Sequence, residues 1–119
     1  MNLLYANDTH GAYPQSWYAA TAKALAPFPA LQGDKTSDVC VVGGGFTGLS
    51  AALHLAQRGY SVSLIEAQRV GWGASGRNGG QVGSGQREDQ ISLEKRMGLD
   101  DARHLWQLSQ DAKALVKSL

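Results

Sequence analysis

One cysteine, three prolines and no excess of either charge leave this 119-residue chain with few of the marks that place a protein in a class at once. A single thiol, Cys40, cannot close an internal disulfide, which suits a reducing compartment and excludes a disulfide-stapled fold. Eleven Lys and Arg against ten Asp and Glu give a net charge of +1, so no field gathers nucleic acid or an anionic membrane surface. No stretch approaches the roughly 20 apolar residues of a membrane span. The opening residues 1–8 have neither a basic leader nor an apolar core long enough for export. The expectation is a cytoplasmic protein with no nucleic-acid and no membrane partner. His10, His54 and His104 are scattered and share no Cys or carboxylate at ligand spacing, so no metal site is expected either.

What the chain does have is glycine, fifteen in all, and two stretches make use of it. The first follows Val39-Cys40-Val41-Val42, an apolar run that reads as a strand buried on both faces. In Gly43-Gly44-Gly45-Phe46-Thr47-Gly48, Gly43 lets the chain leave that strand in a tight turn. Gly45 lets backbone approach a pyrophosphate, and Gly48 lets a helix pack closely on the strand. Leu49, Ala52, Leu53 and Ala56 then recur at helical spacing until Arg58-Gly59, a cation followed by a C′ glycine. Tyr60 to Ile65 reads as a second strand, parallel to the first through a right-handed crossover. The helix between them points unpaired N–H groups and its positive dipole end at the turn. In strand alternation Cys40 faces with Val42 and reads as a small apolar core residue under a helix.

Glu66 ends the second strand 18 positions after Gly48, near the interval of roughly 20 residues at which a carboxylate holds an adenosine ribose. It can accept from ribose hydroxyls but would repel a 2′-phosphate, which disfavours NADP and leaves FAD and NAD. Arg69 is close enough in sequence to pair with it. The second stretch, Gly71 to Gln81, is too rich in glycine for a buried helix or strand. It reads as an ordered loop that approaches a flat or phosphorylated ligand, with Ser75, Arg77 and Asn78 as donors. A flexible surface linker is the plainer reading of the same composition, and Trp72 and Arg77 stand against it.

Asp38 to Leu49, Glu66-Ala67, and above all Gly73-Ala74-Ser75-Gly76-Arg77-Asn78-Gly79-Gly80-Gln81 resemble the N-terminal part of the D-amino-acid oxidase-like FAD-dependent oxidoreductases. Within that family the resemblance is greatest to the bacterial γ-glutamylputrescine oxidoreductases. It extends more loosely to Trp17-Tyr18-Ala19-Ala20 and to Leu93-Glu94 with Leu105-Trp106. The resemblance implies FAD as cofactor and a pyrophosphate cradle built from Gly43, Gly44, Gly45, Phe46, Thr47 and Gly48. Glu66 and Ala67 would lie at the adenosine ribose. Ser75, Gly76, Arg77, Asn78, Gly79 and Gly80 would run along the diphosphate and ribityl chain toward the isoalloxazine, although Arg77 can instead brace the loop through backbone carbonyls. The activity implied is oxidation of an amine C–N bond. Hydride passes to the flavin, the imine is hydrolysed to an aldehyde and ammonia, and O2 reoxidises the flavin to give H2O2. An NAD-dependent dehydrogenase segment, which would need no such loop, and a non-catalytic remnant are the other two readings.

The expected organisation has three parts. Residues 1–37 form a leader broken by Pro14, Pro27 and Pro29, with a short helix within Ser16 to Leu25 capped by Ser16. In it Trp17, Tyr18 and Phe28 serve as apolar anchors, or else as a recognition segment for a partner. Residues 38–85 form the FAD-binding βαβ unit and glycine-rich loop. Residues 86–119 form a helical segment of the same domain: Ile91 to Met97 stopped by Gly98, then a helix capped by Asp100 or Asp101. The stripe Leu105, Leu108, Ala112, Leu115, Val116 and Leu119 on that helix needs a surface to cover. The expected fold class is α/β, a Rossmann-like unit of a larger doubly wound domain, incomplete as it stands and inactive alone. The remainder of the enzyme would pack on the last helix, and the catalytic residues would lie beyond Leu119.

Overall fold

The computed structural model describes Ala6 and residues 8–119; the other opening residues, on which the reading of an absent export signal rests, lie outside the described residues. Two compact units result, one running to Asn78 and the other Gly79–Leu119. The sequence places a change of character after Gly85. The structure divides within the glycine loop instead, because residues up to Asn78 are hydrogen-bonded into the first unit.

The first unit begins with α1 (Trp17–Thr21), whose N-cap Ser16 accepts from the Ala19 amide at 3.2 Å. It is shorter than expected and buries no residue. Trp17 and Phe28 are 77% and 73% exposed and Tyr18 is exposed too, so the leader is not anchored by these aromatics. Its attachment is polar and is made elsewhere. Strand β1 (Val39–Val42) pairs in parallel with β2 (Val62–Ile65), with Val39 opposite Val62 and Val42 opposite Ile65. Asp38 and Ser61 fasten the start of this pair. Asp38 Oδ2 accepts from the Ser61 amide at 2.8 Å and from its hydroxyl at 2.7 Å, while Ser61 Oγ accepts from the Asp38 amide at 2.9 Å. The Ser61 hydroxyl and amide together hold the Asp38 carboxyl below its usual pKa. Such a group contributes stability above its unfolded pKa and loses it as pH falls through the lower folded value.

Helix α2 (Phe46–Gln57) links the strands and stops at Arg58, after which Gly59 turns at φ +90°. It lies on the face of β1 that carries Val41: a Cβ on Gly48 would stand 3.3 Å from Val41 Cγ1 and would collide with the Gly43 carbonyl. Glycine at this position is therefore a packing requirement. The opposite face carries Cys40 and Val42, and both are exposed. Cys40 thus lies on the uncovered face of the strand and not, as expected, under the helix of this unit. A strand buried on both faces needs cover on each, and within this unit α2 supplies cover on one.

In the second unit α3 (Gln90–Met97) is capped by Asp89, which accepts from the Ser92 amide at 2.9 Å. Gly98, at φ +88°, ends α3 and caps α4 (Leu99–Ser118). Asp100 and Asp101 sit in the first turn of α4 rather than at its cap. There their charge still complements the helix dipole. Leu93 and Ala102 are the fully buried apolar residues of the described chain, where α3 and α4 meet. The α4 stripe remains largely open, with Leu108, Leu115, Val116 and Leu119 exposed. Among the described residues, no helix is long and apolar enough to cross a membrane.

Gly48→Ala should destabilise the βαβ unit by on the order of 1–3 kcal/mol through overpacking. Gly85→Ala, where a Cβ meets nothing within 4 Å, should stay within about 0.5 kcal/mol of the parent. Denaturant midpoints of the two variants check the contrast.

Candidate dinucleotide site

The turn after β1 is built around main-chain bonds that require the absence of side chains. The Gly43 amide donates to the Ile65 carbonyl at 2.8 Å and so carries the strand pairing one residue further, at a φ of +107° that favours glycine. The buried Gly44 donates its amide to Glu66 Oε2 at 2.6 Å, and its carbonyl accepts from the Gly71 amide at 2.8 Å. Glu66 Oε1 accepts from the Gln68 amide at 2.9 Å. The carboxylate is therefore oriented by two amides. With about four acceptor positions in all, it keeps capacity for hydroxyl donors. Ala67 follows as an exposed residue.

At the start of α2 the cap is Gly45, which offers no side-chain oxygen. The Phe46 amide donates to Ser75 Oγ at 2.9 Å, while the Phe46 ring is 66% exposed. The contribution of Phe46 to the site is thus its amide. A Cβ on Gly45 would come within 2.9 Å of the same Ser75 hydroxyl. Gly45 and Ser75 accordingly face one another beside the first-turn N–H groups of Phe46, Thr47 and Gly48. A helix N-terminus with its cap side chain removed and a hydroxyl alongside suits an anion, and a diphosphate fits these donors.

Ser75 is carried there by a 3₁₀ turn, Ala74–Gly76. Asn78 Nδ2 donates to the Ser75 carbonyl at 2.7 Å. Arg77 Nε donates to the Trp72 carbonyl at 3.1 Å, its guanidinium lies 4.5 Å from the Trp72 ring centroid, and it pairs with Asp8 at 3.8 Å. Of the two readings of Arg77, these contacts are those of the brace. A Cβ on Gly76 would run into the Gly71 carbonyl. Gly79 and Gly80 open the second unit, Gly80 at φ +71°.

Arg69 does not pair with Glu66, whose oxygens face the Gly44 and Gln68 amides. It turns to the leader instead, donating to the Gly11 carbonyl at 3.4 Å and to the Leu25 carbonyl, with its guanidinium 4.8 Å from the Tyr13 ring centroid. Three more bonds join the same segments: Gly11 N–H to Gln68 Oε1 at 2.7 Å, Tyr13 O–H to the Val70 carbonyl at 2.8 Å, and Trp72 Nε1–H to the Ala12 carbonyl at 2.7 Å. Nothing in the sequence marks Gly11, Ala12 and Tyr13 as neighbours of this site. Most of these contacts end on backbone carbonyls, which leave no residue pattern to read.

A family model described as FAD dependent oxidoreductase matches residues 38–119. Over 105 residues the chain is 48% identical to the γ-glutamylputrescine oxidoreductase of Escherichia coli K12, covering 88% of this chain and 25% of that protein. It is 46% identical over 101 residues to the probable oxidoreductase OrdL of Rhizobium meliloti, covering 85% and 24%. The probable oxidoreductase OrdL of Haemophilus influenzae is 43% identical over 103 residues, covering 87% and 24%. The chain thus spans about a quarter of the length of these relatives. No solved structure gives a significant match.

In the intact protein Gly45→Val should abolish flavin retention, because a branched side chain would fill the space beside Ser75. Glu66→Ala should weaken FAD binding by about 1–3 kcal/mol. Flavin fluorescence titration of the apoprotein measures both, and unchanged affinity in either variant would remove that residue from the site.

Proposed function

The chain belongs to the FAD-dependent oxidoreductase family, whose cofactor is FAD, and from that premise we propose that it forms the N-terminal part of an enzyme that oxidises the C–N bond of a small amine. The supporting observation is the convergence of Glu66, Gly45 and Ser75 on one turn. A carboxylate for ribose hydroxyls and a helix N-terminus for diphosphate stand there together, as an adenine dinucleotide requires. The amine class is supported by the γ-glutamylputrescine oxidoreductase of Escherichia coli, 48% identical over most of this chain.

When bound, the flavin supplies a two-electron acceptor for an amine C–H bond and passes the electrons to O2, so that amine, water and O2 become aldehyde, ammonia and H2O2. The part proposed for the residues of this chain is to hold the nucleotide. The Phe46, Thr47 and Gly48 amides would face the diphosphate, where the helix dipole offsets negative charge at no cost in reorganisation. Glu66, already oriented by Gly44 and Gln68, would accept from the ribose hydroxyls and disfavour a 2′-phosphate. Ser75 would exchange its bond from Phe46 for one to a phosphate oxygen. Ser75 and Gly76 would begin the path of the loop along the cofactor, with Arg77 and Asn78 bracing it from behind. We read the βαβ unit as the first part of a larger doubly wound sheet, in which further elements cover the Cys40 and Val42 face and the α4 stripe.

The intact protein should purify yellow and release peroxide with γ-glutamylputrescine in preference to free putrescine and to D-amino acids. A flavin-loaded enzyme that oxidised amino acids alone, or that produced no peroxide with any amine of such a panel, would overturn the amine assignment.

A further inference from the structure

We propose that the leader segment from Asp8 to Leu25 is a strap that fixes residues 68–77 and so holds Ser75 at the start of α2, which makes Tyr13, Arg69 and Trp72 positioning residues for the flavin diphosphate. This inference rests on the cofactor reading given above and assigns a role to a segment outside the βαβ unit.

Residues 67–77 leave β2 with little regular structure of their own beyond the turn at Ala74–Gly76. Toward the nucleotide turn they are held by Gly71 N–H to the Gly44 carbonyl and by Phe46 N–H to Ser75 Oγ. On the other side the leader holds them at closely spaced points. Gly11 reaches Gln68, Tyr13 reaches Val70, and Trp72 reaches Ala12, each bond between 2.7 and 2.8 Å. Arg69 donates to carbonyls at both Gly11 and Leu25 while stacking on Tyr13. The Asp8 pair with Arg77 continues the line to the residue next to the 3₁₀ turn.

The contacts are directional and run both ways, since the leader donates at Gly11 and Tyr13 and accepts at Gly11, Ala12 and Leu25. They involve no packing of the leader's exposed aromatics, so their effect is to set a path rather than to bury surface. A glycine-rich loop has a large conformational entropy to lose on meeting a ligand. A loop already fixed in its bound path loses less, and the difference is returned as affinity. The strap therefore lowers the FAD dissociation constant by ordering the segment that presents Ser75, without touching the cofactor itself.

The test uses the intact protein, stripped of flavin and titrated with FAD. Tyr13→Phe removes only the hydroxyl that bonds Val70, and Trp72→Phe keeps an aromatic ring for Arg77 while removing the donor to Ala12. Each should raise the FAD dissociation constant about fivefold, the effect of one lost hydrogen bond of ordinary strength. Trp17→Phe, an exposed change in the same leader, should leave it unaltered. In a Ser75→Ala background Tyr13→Phe should have little further effect on FAD affinity, because the strap acts through Ser75. A strap that merely stabilised the fold would lower the apoprotein melting temperature equally in both backgrounds and would leave no such coupling. Wild-type affinity in both Tyr13→Phe and Trp72→Phe, or an undiminished effect of Tyr13→Phe in the Ser75→Ala background, would overturn the proposal while FAD binding by the parent stood. A parent protein that bound no FAD would overturn the cofactor reading itself.

Discussion

The bond from the Gly44 amide to the Glu66 carboxylate is the constraint on which the rest of the site depends. It ties the turn after the first strand to the residue that ends the second, at the point where parallel pairing has run out. A charge-assisted bond of this kind is shorter and stronger than a neutral one, and it fixes two things together. The carboxylate is oriented against the turn, and the turn is tied to the end of β2 just ahead of the α2 N-terminus. The Gly71 amide, on the Gly44 carbonyl, then brings the glycine-rich loop to the same residue.

The βαβ unit is largely readable from sequence because each piece follows from a local rule. β-Branched residues before a glycine, apolar residues at helical spacing and a cation before a C′ glycine point to β1, α2 and the stop at Arg58-Gly59, all close to where they are found. Ser16 as a cap and Gly98 as a helix terminator are readable for the same reason. The errors share a different origin. Alternation gives the face of a strand on which Cys40 lies but not whether anything lies against that face. Nearness in sequence gives Arg69 the opportunity to meet Glu66 but does not reveal the competing partners of either. Asp100 and Asp101 have the chemistry of caps, yet Gly98, needed at positive φ to end α3, already holds that position.

The leader shows the limit most plainly. Trp17, Tyr18 and Phe28, the conspicuous aromatics in it, are exposed, whereas its contacts come from Asp8, Gly11, Ala12, Tyr13 and Leu25. An apolar anchor is visible in composition, but a backbone carbonyl used as an acceptor is present at every residue and distinguishes none. Polar attachment also suits its setting, because a segment fastened by directional bonds holds one register where a greasy contact would allow several.

The leader bonds also differ from the strand pairing in the length of chain they enclose. Pairing of the two strands closes a loop of about two dozen residues, from Asp38 to Ser61, while Tyr13 must find a carbonyl 57 positions away. Closure entropy rises slowly with the length enclosed, and the course of the chain beyond Glu66, where Tyr13 finds its acceptor, follows from the crossover. The strand pairing thus pre-orders the segment that Tyr13 meets, so that the leader bonds close at a smaller entropic cost once it has formed.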